Sequence, residues 1–459
     1  MKTSKQGLFI DFDDDSRIKE FTETSTDNKK CINDEEPNLL IGKTEEGEIV
    51  KSAIDPKCSG SPSANTFVIG GSGFGKTASY LIPLILQCNS SFVVCDPTQE
   101  MLSVVGPILE NHNYKINVLS HKDLKNSRSY NPMDYVYSAD GIPDNSRIHA
   151  LAKNIVSSFL QDETFYYEAT LSLVEAVIHY CIDFMPEEKR NLKTICDLIS
   201  VGLKESQNND ETELDALFKK AFTENPKSKA FYFYKRFKFL CEKTARSIII
   251  VFMANFGGWL HNSEYLELVG VNNSERKKID IREAGNRKTA IFVDFGFDGN
   301  IPLFKFLTKS IYQQLSIELT DVVRETKKKL PVHFRFIVSQ EVPQPESFDG
   351  HMASFVKRYN MSKTYVYDSV GQAKACIKDM MEFEMYGCSQ VIFLGSFDFE
   401  TCEWFAKMLR MGCEGIEEMM NLGKEHEIAI CRNHSGEHFF LLRKLNFKDH
   451  PFYKQIYET

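Results

Sequence analysis

Short apolar runs recur in the first and last thirds of the chain. Residues 66–69 and 92–95 are almost continuously apolar and rich in β-branched side chains, and 116–119 is a similar run broken by Asn117. Such runs fit strands buried on both faces, as in a parallel sheet. Residues 78–86, between the first two, are apolar and long enough for a helix. From 147 to 275 the pattern changes to that of amphipathic helices, clearest at 151–160, 169–184 and 192–201, with little glycine or proline. Strand-like runs return at 290–293, 334–338, 364–367 and 391–394. Strands alternating with helices, interrupted by a helical block, predict an α/β domain with an all-α insertion.

The expected boundaries are an acidic arm (1–60), a first part of the α/β domain (61–146), the all-α insertion (147–278) and a second part with a C-terminal tail (279–459). In the arm, Asp11, Asp13, Asp14 and Asp15 cluster, and 22–36 is nearly free of large apolar residues. Shorter apolar pieces at 8–12, 39–42 and 49–54 have the length of edge strands.

The 459 residues are 42% hydrophobic and 26% charged, which is a globular composition. The net charge of −9 excludes a surface that is basic throughout, so contact with nucleic acid must be a local patch. No basic start precedes an apolar core at the N-terminus, and no window of about 18 apolar residues occurs. Residues 79–95 come nearest, but Pro83, Gln87 and Asn89 interrupt them. Twelve cysteines without a CxxC pair fit a reducing cytoplasm. Cys413, Cys431, His434 and His438 have some zinc-like spacing but lack a paired first knuckle. They read as ordinary thiols and surface histidines.

The strongest local signal is Gly70, Gly71, Ser72, Gly73, Phe74, Gly75, Lys76 and Thr77, which satisfies G-x-x-x-x-G-K-[ST] between a strand run and a helix run. Glycines let backbone N–H groups curl around a polyphosphate, and the helix start presents its positive end to the anion. Lys76 is expected on the outer phosphates and the Thr77 hydroxyl on Mg²⁺, with ATP as the ligand. Such a site also needs a carboxylate at a nearby strand end. Asp96 and Asp294 each close an hhhhD run, and Glu341 follows the run at 334–338. A strand-end Asp serves equally well as a cap, so both readings stay open.

At these residues the chain resembles the coupling-protein ATPases of type IV secretion and conjugation, the TraG/TraD-like relatives of the FtsK translocases. The resemblance runs through Thr66 to Thr77, Ser91 to Glu100, Asn113 to Val118, Ser129 to Pro132, Phe165 to Ala169, Lys243 to Ser247, Lys288 to Val293, Pro331 to Arg335 and His450 to Tyr453. It implies a RecA/FtsK-like P-loop NTPase fold with an all-α insertion. It also implies a cytoplasmic component of conjugative DNA transfer, peripheral at the inner face of the membrane. The implied partners are ATP or ADP with Mg²⁺, DNA through the all-α domain, other secretion or conjugation proteins, and further subunits in a homo- or hetero-hexamer. In the family an arginine from one subunit serves the next, and Arg358 is the nearby candidate.

The departures are informative. The family's membrane anchor has no counterpart in residues 1–60. Its D-P-K-G-E becomes Asp96, Pro97, Thr98, Gln99 and Glu100, with Asp96 and Glu100 expected at the same cleft. Its Walker B Asp-Glu falls on Ser339 and Gln340, its γ-phosphate-sensing Gln falls on Asp368, and its arginine pair leaves Lys357, Arg358 and Tyr359. A hydroxyl and an amide cannot take a proton from water near neutral pH, and Asp368 opposes ATP more than ADP. Nucleotide binding with weak or absent hydrolysis is therefore expected, with Glu341 or Asp294 as the carboxylates that would rescue it. Two alternatives are a non-hydrolysing regulatory partner of an active, membrane-anchored relative, and an unrelated soluble P-loop ATPase using another carboxylate.

Residues 227–246 hold seven basic side chains against the single acid Glu242, interleaved with aromatics. Lys229, Arg236 and Lys243, seven apart, would share one helix face and are the candidate phosphate-gripping residues for DNA. Phe233, Phe237, Leu240 and Cys241 would form the buried stripe of the same helix, and a buried stripe with a solvated basic face is the plainer reading.

Overall fold

The computed structural model describes residues 38–53, 64–160, 164–206, 211–240, 242–271, 277–295, 301–340, 342, 359–377, 381–412, 414–433 and 436–458. The chain forms two compact units: residues 1–116, 282–292 and 322–459, and residues 117–281 and 293–321.

The strands are β1 Asn38–Lys43, β2 Ile49–Ala53, β3 Thr66–Ile69, β4 Ser91–Cys95, β5 Lys115–Ser120, β6 Thr289–Asp294, β7 Phe334–Ser339, β8 Met361–Tyr367, β9 Gln390–Phe393, β10 His426–Asn433 and β11 Gly436–Arg443. Among the described residues they form one sheet in the order β2-β1-β11-β10-β9-β3-β8-β7-β4-β6-β5. The middle of the first unit is parallel: β3 pairs with β8 and β9, and β7 with β8 and β4. β3, β4 and β8 are buried at every position. This accounts for the apolar runs of β3 and β4, whereas β8 also buries Ser362, Lys363 and Thr364, with Lys363 paired to Glu384 at 3.1 Å.

The apolar stretch after the glycine cluster is a helix in two windings, a π-helical Lys76–Leu81 and an α-helical Ile82–Leu86. The side chains from Tyr80 to Leu86 are buried, so this is a core helix, packed with Val94, Val105, Ile108, Ile337 and Ile392. Two of the apolar pieces in the acidic lead-in are β1 and β2, which hairpin at the sheet edge against β11. The piece at 8–12 lies outside the described residues. The β10–β11 hairpin, which the apolar pattern does not announce, joins β9 antiparallel.

The second unit is mainly helical, with Asn145–Val156, Phe165–Phe184, Leu192–Ser200, Glu213–Glu224, Lys229–Lys238, Glu242–Asn255 and Ser263–Leu268. Six of these starts carry a side-chain cap, from Asp144, Thr164, Asn191, Thr212, Ser228 and Asn262. Arg147 is buried and pairs with Glu318 and Asp321 of the helix Pro302–Thr326. Among the described residues no helix is long and apolar enough to cross a membrane.

Candidate functional site

The glycine-rich loop leaves the C-terminal end of β3, and both flanking strands anchor it. Gly70 N–H donates to the Tyr367 carbonyl at 3.1 Å, and Gly71 N–H to the Gly395 carbonyl at 2.8 Å. Gly73 and Gly75 sit at φ +78° and +94°, where a side chain would be strained. Between them Phe74 turns inward and is buried. Its carbonyl accepts from Lys444 Nζ at 3.0 Å, and its ring lies 5.4 Å from that ammonium. A Cβ at Gly395 would come within 2.7 Å of the Phe74 ring, so the glycine makes room for it.

The helix that follows begins without a side-chain cap, and its wide first turns end with the Ile82 N–H on the Thr77 carbonyl. Pro83, lacking an N–H and crowding the preceding turn, accounts for the widened winding. The amides of Ser72, Gly73 and Gly75 donate to no backbone acceptor among the described residues. The result is a run of unspent donors at a positive helix end, which is the chemistry of an anion cradle.

Lys76 is already engaged. Its Nζ donates to the Gly70 and Gly71 carbonyls at 2.8 and 3.2 Å and pairs with Asp368 Oδ1 at 2.6 Å. An ammonium has three donors, so these contacts use them all. Asp368 directly follows β8, the strand beside β3. Its backbone N–H donates to Gln372 Oε1 at 2.6 Å, and Gln372 Nε2 donates to Gln340 Oε1. Gln340 follows β7, the next strand out. The parallel registers Ile69↔Tyr367 and Ser339↔Val366 bring these tips to one end of the sheet. Thus the strand beside the loop ends in a carboxylate held by the motif lysine, and the strand beyond it ends in uncharged Ser339 and Gln340.

The other acids have partners of their own. Asp96 is 2% exposed, and its carboxylate accepts the N–H groups of Leu102 at 2.8 Å and Met101 at 3.4 Å, anchoring the helix Glu100–Asn111. Asp294 accepts from Ser120 Oγ at 2.8 Å and faces Lys122 at 3.7 Å. The expectation that Asp294 could stand beside the loop is corrected by strand order, because β8, β7 and β4 lie between β3 and β6. Glu341, Lys357 and Arg358 lie outside the described residues. So do Cys413 and His434 of the zinc-like set, while Cys431 and His438 oppose each other across the β10–β11 ladder.

The basic segment is not one helix. It ends at Lys238 and restarts at Glu242, so Lys229 and Arg236 share a helix but Lys243 is on the next. All three are exposed. The buried stripe is also shifted, to Ala230, Tyr234 and Phe237. Tyr234 wins over Phe233 because its ring stacks on Phe218 at 3.9 Å and its hydroxyl donates to Asp215 at 2.9 Å. Phe233 instead stacks on His179 at 5.4 Å. Leu240 is half-buried, and Cys241 lies outside the described residues.

The family described as "Type IV secretory system Conjugative DNA transfer" matches residues 19–409. The chain belongs to that family. No curated protein matches it in sequence. Solved structures nonetheless share its fold, RecA/FtsK-like with an all-α insertion. VirB4 of Thermoanaerobacter pseudethanolicus is 13% identical, with 88% of this chain and 96% of that one covered and a TM-score of 0.55. The unbound bacterial conjugative coupling protein TrwB is 12% identical, with 95% and 93% covered and a TM-score of 0.58. The same figures hold for the plasmid coupling protein TrwB in complex with ADP and Mg²⁺. Within this conjugative-transfer fold, motif matching alone misses Lys444 and Gln372. Gly395, directly after an apolar run, is the one neighbour of the loop with a local signal.

Proposed function

We propose that this conjugative DNA-transfer family member binds a nucleoside polyphosphate with Mg²⁺ through residues 70–77 and hydrolyses it weakly or not at all. The observation that carries the reading is the pairing of an open amide cradle with a Lys76 whose charge is held by Asp368. The cradle fits phosphate, and the complex of the similarly folded TrwB with ADP and Mg²⁺ supports the ligand class. The Thr77 hydroxyl stands at the helix start with no hydrogen-bond partner among the described residues, and it is the group that would hold Mg²⁺. The metal would supply charge neutralisation on the phosphates. Ser339 and Gln340 can orient a water but cannot accept its proton, which is the ground for weak turnover. It also favours a regulatory role beside an active relative.

DNA is assigned to the helical unit. There Lys229 and Arg236 are exposed on one helix, with Tyr232 and Phe239 62% and 78% exposed beside them. Calorimetry with MgADP and a turnover assay with and without DNA test the whole reading. Binding that disappears in Lys76→Ala, with phosphate release near background, is the expected result. Absence of binding overturns the ligand assignment, and vigorous DNA-stimulated turnover that Lys76→Ala abolishes overturns weak hydrolysis.

A further inference from the structure

The loop after β9 carries an exposed aromatic ring beside the cradle. Phe397 is 69% exposed, yet its ring meets the buried Phe74 edge-on, with centroids 5.0 Å apart and planes at 69°. The backbone beneath it is fixed. The Gly395 carbonyl accepts the Gly71 N–H, and Ser396 is 2% exposed with its Oγ accepting the Asp398 N–H at 3.0 Å. The Asp398 carboxylate then caps the helix Phe399–Met408 by accepting the Thr401 N–H at 3.0 Å. A solvent-facing ring on so constrained a turn is pre-organised for a ligand.

The direction of a bound nucleotide follows from the two flanks of β3. The motif lysine reaches the outer phosphates, and Lys76 Nζ lies against Asp368 at the tip of β8. The outer end of a polyphosphate is therefore on the β8 side. Its other end, with ribose and base, leaves toward the opposite flank, where β9 is followed by Gly395, Ser396 and Phe397.

We infer that Phe397 is the platform on which the nucleobase stacks. This deepens the nucleotide reading above and rests on it. Stacking on a single phenyl face tolerates any base, so adenine and guanine nucleotides are accepted alike at this position.

The test compares MgADP with inorganic tripolyphosphate, which occupies the cradle but has no base. Calorimetry on the full chain should show Phe397→Ala weakening MgADP by roughly 10-fold, with tripolyphosphate unchanged. Phe397→Trp should retain MgADP, and its added fluorescence should be quenched by MgADP but not by tripolyphosphate. Unchanged MgADP affinity in Phe397→Ala, or an equal loss for both ligands, overturns the platform and leaves the cradle standing. Failure of the unmodified chain to bind either ligand overturns the cradle, and the platform with it.

Discussion

Replacing Asp368 with Asn probes the site most directly, because it removes one charge and keeps the shape. Lys76 Nζ now holds two loop carbonyls and the Asp368 carboxylate. A phosphate oxygen on the same ammonium would stand about 4–5 Å from that carboxylate, given ordinary hydrogen-bond lengths. Two unit charges at that range repel by about 1 kcal/mol in bulk water and about 4 kcal/mol at an effective dielectric near 20. The Lys76 and Asp368 side chains are 19% and 36% exposed, which places the repulsion between those limits, near ~2 kcal/mol. A terminal phosphate feels it in full, and a diphosphate feels mainly the release of a partly exposed ion pair, worth about 1 kcal/mol or less. Asp368→Asn is therefore expected to favour a non-hydrolysable ATP analogue over ADP by roughly 30-fold more than the unmodified chain does. Calorimetry with both Mg²⁺ complexes at low and high salt reads this, and added salt should shrink the difference. Equal gains for the two nucleotides, or no gain, would show that Asp368 does not face the terminal phosphate.

Gln340→Glu places a carboxylate at the tip of β7. In the Asp368→Asn background it should raise steady-state phosphate release by at least ~10-fold, since a positioned base typically contributes about 10²–10⁴; an unchanged rate refutes the assignment of that tip. His333 is 2% exposed, within 3.0 Å of Asn360 Oδ1 and 2.8 Å of Ser362 Oγ, and burial, then the Arg335 charge, pushes its pKa down from 6.5 to about 3. The unfolded chain takes up this proton near pH 6.5 and the folded chain does not. This contribution to stability is thus complete above pH ~6.5 and falls by about 1.4 kcal/mol per pH unit as pH drops toward ~3. Urea midpoints at pH 7, 6 and 5 should show a steeper acid loss for the unmodified chain than for His333→Gln, and parallel curves would refute the buried neutral imidazole. Charge reversal at Lys229 and Arg236 should weaken single-stranded DNA binding and flatten its salt dependence by about 0.7 in log–log slope for each phosphate no longer gripped. Unchanged affinity dismisses the patch, and Lys243→Glu, measured separately, reports whether the following helix joins it.

What the sequence disclosed and what it withheld divide along a physical line. β3, β4 and parts of β7–β9 were legible because strands buried on both faces carry apolar runs, and that property is local. The buried Arg335, Ser362, Lys363 and Gln390 interrupt the pattern and hid the starts of β8 and β9. The cradle was legible for the same reason: its glycines, lysine and threonine are consecutive, and the positive φ at Gly73 and Gly75 is intrinsic to them. The β10–β11 pair went unread because its ends are polar and its strands alternate only in part. The helix break after Lys238 and the burial of Tyr234 depended on Phe218 and Asp215, partners in another helix that no spacing within 227–246 can specify. The identity of the strand beside the loop was the decisive unknown, and it belongs to the same class. A parallel sheet orders its strands through crossovers, so β8 and β9 flank β3 while β4, next in sequence among the parallel strands, lies two strands farther out than β8. Resemblance placed an acid at position 368, but only the order of strands sets that acid on Lys76, and an aspartate at a strand tip has no chemistry until the neighbouring tip is known.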